Sequence, residues 1–444
     1  MSGSIQHTKV DQQENASHNS FWQNVKQRFR KNRSAKFALR VVTFLAIVAI
    51  TADFIAYDKP FRATYEGETY YPLFNDYLSA LGLYQWSPEL IHEEWRELDR
   101  EGKLERAFWP PVRYMPSDLD YDNQRLLGPF DRQNVIHWKY WHFLGTDRDG
   151  RDVLSGLIHG TRISLTIGLV AVAIAAFIGI LLGAFAGYFG DNRLQLSRIG
   201  IIFLIIGIFL GFFYGFQVRS YTLRESLAEG GAGLLFQILL SLGIMLGVIL
   251  LCILISKPLE FIPWLGKKRY LWIDIALSRF IELWTSIPGL LLIITVSALT
   301  ETKSLYMLMG LLGLLSWPTI ARYMRGEMLR TRSQMYIEAA RSLGFGEFRV
   351  LLRHAIPNSL APVLVVMAFS LAGAIVLEAS LSFLGIGVPD DIITWGKLLR
   401  EASQDISAWW LIIFPGFTIF LTVTTLNLLG EGLRDALDPK TQDE

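Results

Sequence analysis

Residues able to do chemistry are sparse in this chain and poorly arranged for catalysis. The seven histidines are scattered with no H-x-x-x-H pair, so no metal centre is expected. The single cysteine, Cys252, excludes a disulfide framework and a thiolate cage. There is no G-x-x-x-x-G-K-[S/T] phosphate loop, because Gly266-Lys267-Lys268 lacks the earlier glycine and the hydroxyl, and there is no G-x-S-x-G elbow. Asp147, Asp149 and Asp152 alternate with Arg148 and Arg151 and could hold an ion. Capping and orienting a helix that follows is the simpler use, since carboxylates are favoured at a helix start. Glu282 and Glu378 lie in or beside apolar stretches, where an ionised group is costly and marks function or pairing. Arg279 beside Glu282 favours pairing or snorkelling there. Glu378, deeper in its stretch, is the better candidate for a gate or pathway lining, together with Ser382 and Phe383.

The densest signal is residues 322–358, which carry seven arginines between Arg322 and Arg353. The order reads as a helix, a glycine break at Gly344, a second helix and a proline stop at Pro357. Ser333 can cap the first helix, and Ala339 and Ala340 give it high propensity and low relief. Gly344 suits a C′ position with positive φ. Phe345, Phe348, Leu351, Leu352 and Ala355 form one apolar face of the second helix, which Pro357 should end. Such a pair must press on something: either the protein's own helices, or a partner.

The elements around these residues are apolar spans. Of 444 residues 51% are hydrophobic and only 19% charged, below the quarter usual for soluble chains. The formal net charge of +1 excludes bulk basicity as a route to nucleic acid. Apolar runs fall at about 37–57, 161–189, 197–217, 232–256, 281–300, 304–321, 359–386 and 409–428. About 20 residues suffice to cross a bilayer as helix, and unbroken runs exclude a β-barrel. We therefore expect an all-α polytopic membrane protein of about eight spans, with Pro288 and Pro318 kinking their helices. A cleaved signal peptide is the alternative for the first run, but seven basic residues over Phe21–Arg40 make its charged region far too long.

Lys and Arg of the short loops fall on one side: the N-terminal cluster, Arg193 and Arg198, Lys267-Lys268-Arg269, and the 322–353 arginines. That side, with both termini, is cytoplasmic. The domains then read as a basic tail (1–36), a first anchor (37–57), an external loop or small domain (58–145), and a second core helix (146–194). An inserted two-helix segment (195–272), a core segment (273–439) and a tail (440–444) follow. The external loop holds fifteen acids, ten Lys or Arg and five tryptophans. Helical spacing over Pro88–Phe108 offers Leu90, Trp95, Leu98 and Leu104 as buried positions.

Glu338-Ala339-Ala340, with Gly344 and a proline thirteen residues further on, resembles the EAA signature of ABC-importer permeases. His354-Ala355-Ile356-Pro357 is similar to the ending found in the dipeptide/oligopeptide branch. The same branch, and its C-type subunit, is resembled by Leu144–Leu154 with Gly160–Leu165, Gly183–Gly190, Glu378–Gly387, Thr394-Trp395-Gly396, Phe414–Gly416 and Asn427–Pro439. The resemblance covers about 21–57, 142–194 and 273–439. It implies a six-helix permease core, here with two inserted spans and an enlarged external loop. In that family the loop of Glu338, Ala339, Ala340, Arg341, Gly344, Phe345 and Pro357 couples to an ATPase.

The implied partners are a second, B-type permease, two ABC ATPase subunits, an external solute-binding protein and membrane lipid, with no nucleic acid. No cofactor is expected on this chain, since ATP and Mg would be used by the ATPases. The implied function is import of peptides or related small solutes across the bacterial inner membrane by alternating access. Two other readings stay open: a secondary transporter, or a membrane scaffold whose external loop binds a partner.

Overall fold

The computed structural model describes residues 23, 25–86, 94–135, 137–229, 231–299 and 304–437. Residues 1–22 and 24 of the expected basic tail, the tail at 440–444 and Leu90 lie outside them. Among the described residues, six helices are long and apolar enough to cross a bilayer: Val153–Phe189, Arg198–Gln217, Gly233–Phe261, Leu305–Thr331, Glu347–Phe383 and Trp409–Leu437. Ile273–Thr285 and Gly289–Leu299, bent by 70°, make a seventh if taken as one span. Pro288 lies in that break, where it removes a donor and crowds the preceding turn. Pro318, by contrast, sits within a helix that continues through it.

The first expected span, 37–57, is helical over Arg33–Ile50 and Ala52–Ile55, interrupted at Thr51. Arg33, Lys36 and Arg40 fall in its first part, so the uninterrupted 18-residue piece carries three charges. The fold is that of an all-α polytopic membrane protein with two small sheets added.

The chain divides into two compact units, Met1–Leu169 with Ala368–Glu444, and Val170–Met367. In the first, Asn32 Oδ1 accepts from Ala35 N–H at 3.1 Å and starts the 33–50 helix. That helix packs on the 409–437 helix, where a Cβ on Gly432 would lie 2.3 Å from that of Ala35. The 58–145 segment contains, among the described residues, a three-stranded sheet in the order β2-β1-β3, with β1 Arg62–Tyr65, β2 Glu68–Tyr70 and β3 Leu104–Phe108. Ala63, Trp95, Leu98 and Trp109 form its core.

The helix expected over 88–108 is therefore corrected: it holds only over Trp95–Arg100 among the described residues. Gly102, at φ 72°, turns the chain back, and Leu104–Phe108 pairs antiparallel with β1. Trp95 and Leu98 are buried as the spacing required.

In the second unit the insert is closed at its base by two antiparallel strands, β4 Gln195–Ser197 and β5 Lys268–Tyr270. Its two long helices approach through Gly207, Gly211 and Gly215, whose absent side chains admit Cys252, Met245 and the Ser241 carbonyl. A further helix, Ser220–Glu229, joins them. Their outer faces expose Phe209, Phe236, Leu239 and Leu246, suited to lipid rather than water. Glycines also seat the 153–189 helix on the 305–331 helix. A Cβ on Gly179, Gly183 or Gly187 would come within 2.9 Å of Ile320, Ala321, Arg325 or Met328.

Candidate functional site

The loop that leads into the 335–342 helix begins where the 305–331 helix ends. Arg332 donates from Nη1 to the Gly187 carbonyl at 3.1 Å, fixing the exit of the chain. Ser333, expected to cap the next helix, instead donates back to the Arg330 carbonyl at 2.9 Å. Gln334 in extended conformation starts the helix Met335–Ser342 with no side-chain cap. Its far end carries a complete glycine cap. Phe345 N–H donates to the Ala340 carbonyl at 3.3 Å and Gly344 N–H to the Arg341 carbonyl at 2.8 Å. Gly344 sits at φ 83°, the left-handed conformation that this double bond requires.

Which face is covered decides what the helix can do. Ile337 and Ala340 are buried with Val350, Leu351 and Ala355, in one cluster with Tyr188, Phe189 and Met328. Glu338, Ala339 and Gly344 face outward, next to exposed Met335 and Leu343. Phe348 and Leu352 are also exposed, at 61% and 60%, so the expected single apolar face is split. Val350, Leu351 and Ala355 turn inward, while Phe348 and Leu352 join the free surface. Pro357 does not end the second helix, which runs unbroken over Glu347–Phe383. Leu351–Ala355 forms a π turn just before it. The wider turn accommodates a residue that cannot donate and whose ring would crowd the carbonyl four residues back.

Glu347 ties this loop down. Its Oε2 accepts the Tyr188 hydroxyl at 2.6 Å, and its Oε1 lies 3.3 Å from Arg341 Nε. Arg341 and Arg193 place their guanidinium carbons 5.1 and 5.5 Å from the centre of the Tyr188 ring. A cation over an aromatic face is attractive without demanding hydrogen-bond geometry, and Arg341 Nε and Nη2 do lack hydrogen-bond partners among the described residues. Neither Tyr188 nor Glu347 stood out in the sequence. A tyrosine closing an apolar run beside arginines was the available signal.

The second candidate is Glu378, fully buried. Ser164 donates to its Oε2 at 2.8 Å and Ser382 to its Oε1 at 2.7 Å. Close packing surrounds it: a Cβ on Gly396 would meet the Ala379 carbonyl at 2.2 Å, and Trp395 Nε1 donates to the Leu157 carbonyl at 3.2 Å. Ser382 is buried with Glu378, whereas Phe383 is half-exposed. Glu282 forms the expected pair with Arg279 at 2.7 Å on an exposed face.

Two of the aspartates at 147–152 accept backbone N–H groups, Asp152 Oδ1 from Ser155 at 2.6 Å and Asp147 Oδ1 from Arg151 at 2.8 Å, while Asp149 pairs with Arg151 at 2.9 Å. A pair missed by sequence reading joins the first helix to the 153–189 helix. Arg162 donates from Nη1 and Nη2 to both oxygens of Asp53, at 3.0 and 2.9 Å.

Long apolar helices and a helical loop with one exposed face are the features of a polytopic membrane protein. Residues 263–443 match the family described as binding-protein-dependent transport system inner membrane component. Residues 20–78 match the N-terminal TM domain of oligopeptide transport permease C. Among curated relatives, a glutathione transport system permease protein of Pectobacterium atrosepticum is 31% identical, over 75% of this chain and 82% of its own length. A dipeptide transport system permease protein of Alkalihalophilus pseudofirmus is 29% identical over 72% and 75%. A peptidoglycan transport system permease protein of Agrobacterium fabrum is 26% identical over 94% and 92%. The chain belongs to the binding-protein-dependent transport permeases and is a multi-pass inner-membrane component of an ABC importer. Such a permease is not the catalytic component, and it works with a partner ATPase and a binding protein.

Proposed function

We propose that this chain is the C-type half of a heterodimeric peptide permease. A B-type permease, two ATPase subunits that use ATP and Mg, and an external solute-binding protein complete the importer. The observation that carries the reading is the 335–342 helix: one face sealed into the protein, the other offering Met335, Glu338, Ala339 and Leu343 outward. A low surface at Ala339 admits close approach by a partner groove. A push on this helix enters the 153–189 helix through Glu347 and Tyr188, and enters the 347–383 helix through its continuous backbone. Closure of the ATPases on ATP thereby tilts the spans and opens the pathway outward; hydrolysis resets it. In this scheme Glu378, Ser382 and Phe383 belong to the moving helix, with Glu378 holding it to Ser164.

The cargo class is peptide, supported by the relatives named for dipeptide and glutathione transport. Peptides released from peptidoglycan are a second reading, favoured because the peptidoglycan permease aligns over nearly the whole chain. Uptake of a labelled tripeptide and of a labelled muropeptide into proteoliposomes containing the assembled complex tests both. ATP-dependent uptake of either is expected. Uptake driven by an ion gradient without ATP, or a purified chain with no ATPase bound, would overturn the reading.

A further inference from the structure

The base of the inserted helical pair carries charge that the chain does not neutralise. Lys267, Lys268 and Arg269 are exposed, and none of them has an ion-pair partner among the described residues. The only acid between 257 and 272, Glu260, is engaged by Lys257 at 3.7 Å and by the Ser197 hydroxyl at 2.8 Å. The platform beneath is rigid. Arg269 pairs with Leu196 across the two-stranded sheet. Arg198 N–H donates to the Lys267 carbonyl, and Ile199 N–H to the Leu265 carbonyl, both at 3.2 Å. Gly266 sits so close under the turn that a Cβ would lie 2.1 Å from the Glu260 carbonyl.

Around the charges stand exposed aromatics: Phe261 at 91%, Trp264 at 70% and Trp272 at 67%. Arg198 holds its guanidinium 5.1 Å from the Trp264 ring centre. The patch falls where two spans end, Arg198–Gln217 at its start and Gly233–Phe261 at its close, so it sits at headgroup depth. Tryptophan prefers that depth, with its ring against acyl chains and its N–H in the polar layer. Unpaired cations there lie in the negative field of the cytoplasmic leaflet.

We propose that this base is a docking site for anionic phospholipid headgroups. Lys267, Lys268 and Arg269 face the phosphodiester, Arg198 supports it from the Trp264 ring, and Trp264 and Trp272 flank the acyl chains. A soluble acidic partner would need the charges but not three exposed aromatic rings at the ends of spans, and the rings decide for lipid.

The test uses the purified full-length permease with equal amounts of phosphatidylglycerol and phosphatidylethanolamine, bound lipid being counted by native mass spectrometry. We expect at least about tenfold preference for phosphatidylglycerol at about 0.1 M salt, collapsing at about 1 M because exposed charges are then screened. K267Q/K268Q/R269Q should bring the preference to about twofold or less, and K267R/K268R should keep it. In the unmodified chain, phosphatidylglycerol with a photoactivatable headgroup should label residues within 257–272. Absence of preference, preference that survives the triple substitution or high salt, or labelling confined to other segments would each overturn the proposal. So would a triple variant that loses a partner ATPase while its lipid preference is unchanged.

Discussion

The Tyr188 hydroxyl donates to Glu347 Oε2 at 2.6 Å, joining the end of the 153–189 helix to the first turn after the 335–342 helix. Glu347 is half-exposed, so solvent screens its charge and the bond is worth about 1 kcal/mol rather than the value of a buried one. Its consequence is positional. Tyr188→Phe should leave the membrane level of the protein unchanged and reduce ATP-driven uptake several-fold, with basal ATPase activity of the complex retained. Uptake equal to wild type would show that the push takes another route.

Gly344 should tolerate Asn better than Val. The φ of 83° costs a β-branched residue about 1–2 kcal/mol, and nothing lies within 4 Å to reward a side chain. Gly344→Val should uncouple transport from hydrolysis, and Gly344→Asn should retain most uptake; uptake and ATPase rate in one preparation check both.

Replacing Glu378 separates a tie from a gate. Glu378→Ala leaves the Ser164 and Ser382 hydroxyls without their acceptor and should cost about 1–3 kcal/mol, read as a lowered midpoint of thermal unfolding in detergent. Glu378→Gln keeps the shape and an acceptor oxygen. If it preserves both stability and uptake, the residue acts as a neutral tie between helices. If stability is kept and uptake is lost, the carboxyl itself takes part in the pathway.

His142 gives the 58–145 segment a pH dependence. Its Nδ1 lies 2.8 Å from Asp152 Oδ2 and its Nε2 3.2 Å from Asp120 Oδ2, with Tyr114 stacked at 4.2 Å. Burial opposes the imidazolium, but the hydrogen bonds to Asp120 and Asp152 outweigh it and raise the pKa above 6.5. For Asp120 burial also acts upward, and the bonds from His142 and Asn123 override it, bringing the carboxyl down to about 2. A raised histidine contributes stability that is complete below its unfolded pKa and is lost as pH climbs through the folded one. Asp120 contributes the opposite slope, lost as pH falls from about 3.8 towards 2. Thermal stability should therefore decline as pH rises above 6.5, and His142→Gln should flatten that decline. An unchanged slope in the variant would remove His142 as its cause.

Apolar runs made the membrane class legible, because bilayer thickness and helix rise leave few alternatives. Glycine capping at Gly344 was readable for the same kind of reason: one residue type fits one backbone conformation. What escaped depended on tertiary packing. Leu104–Phe108 has helical spacing and became a strand because β1 offered an edge. Pro357 looked like a stop, but a π turn upstream absorbs it. Arg162 with Asp53, and Tyr188 with Glu347, are separated by 109 and 159 positions, and no local pattern links such partners.

The central claim is that the outward face of the 335–342 helix meets the ATPase. The most direct measurement is cysteine cross-linking in a Cys252→Ser background, one position at a time along that helix, in the assembled complex. Ala339→Cys and Leu343→Cys are predicted to cross-link to a polypeptide that carries a phosphate-binding loop, with yield changing on ATP addition, while Ile337→Cys and Ala340→Cys stay uncoupled. Cross-linking from the buried positions but not the outward ones, or none to a nucleotide-binding chain, would contradict the account.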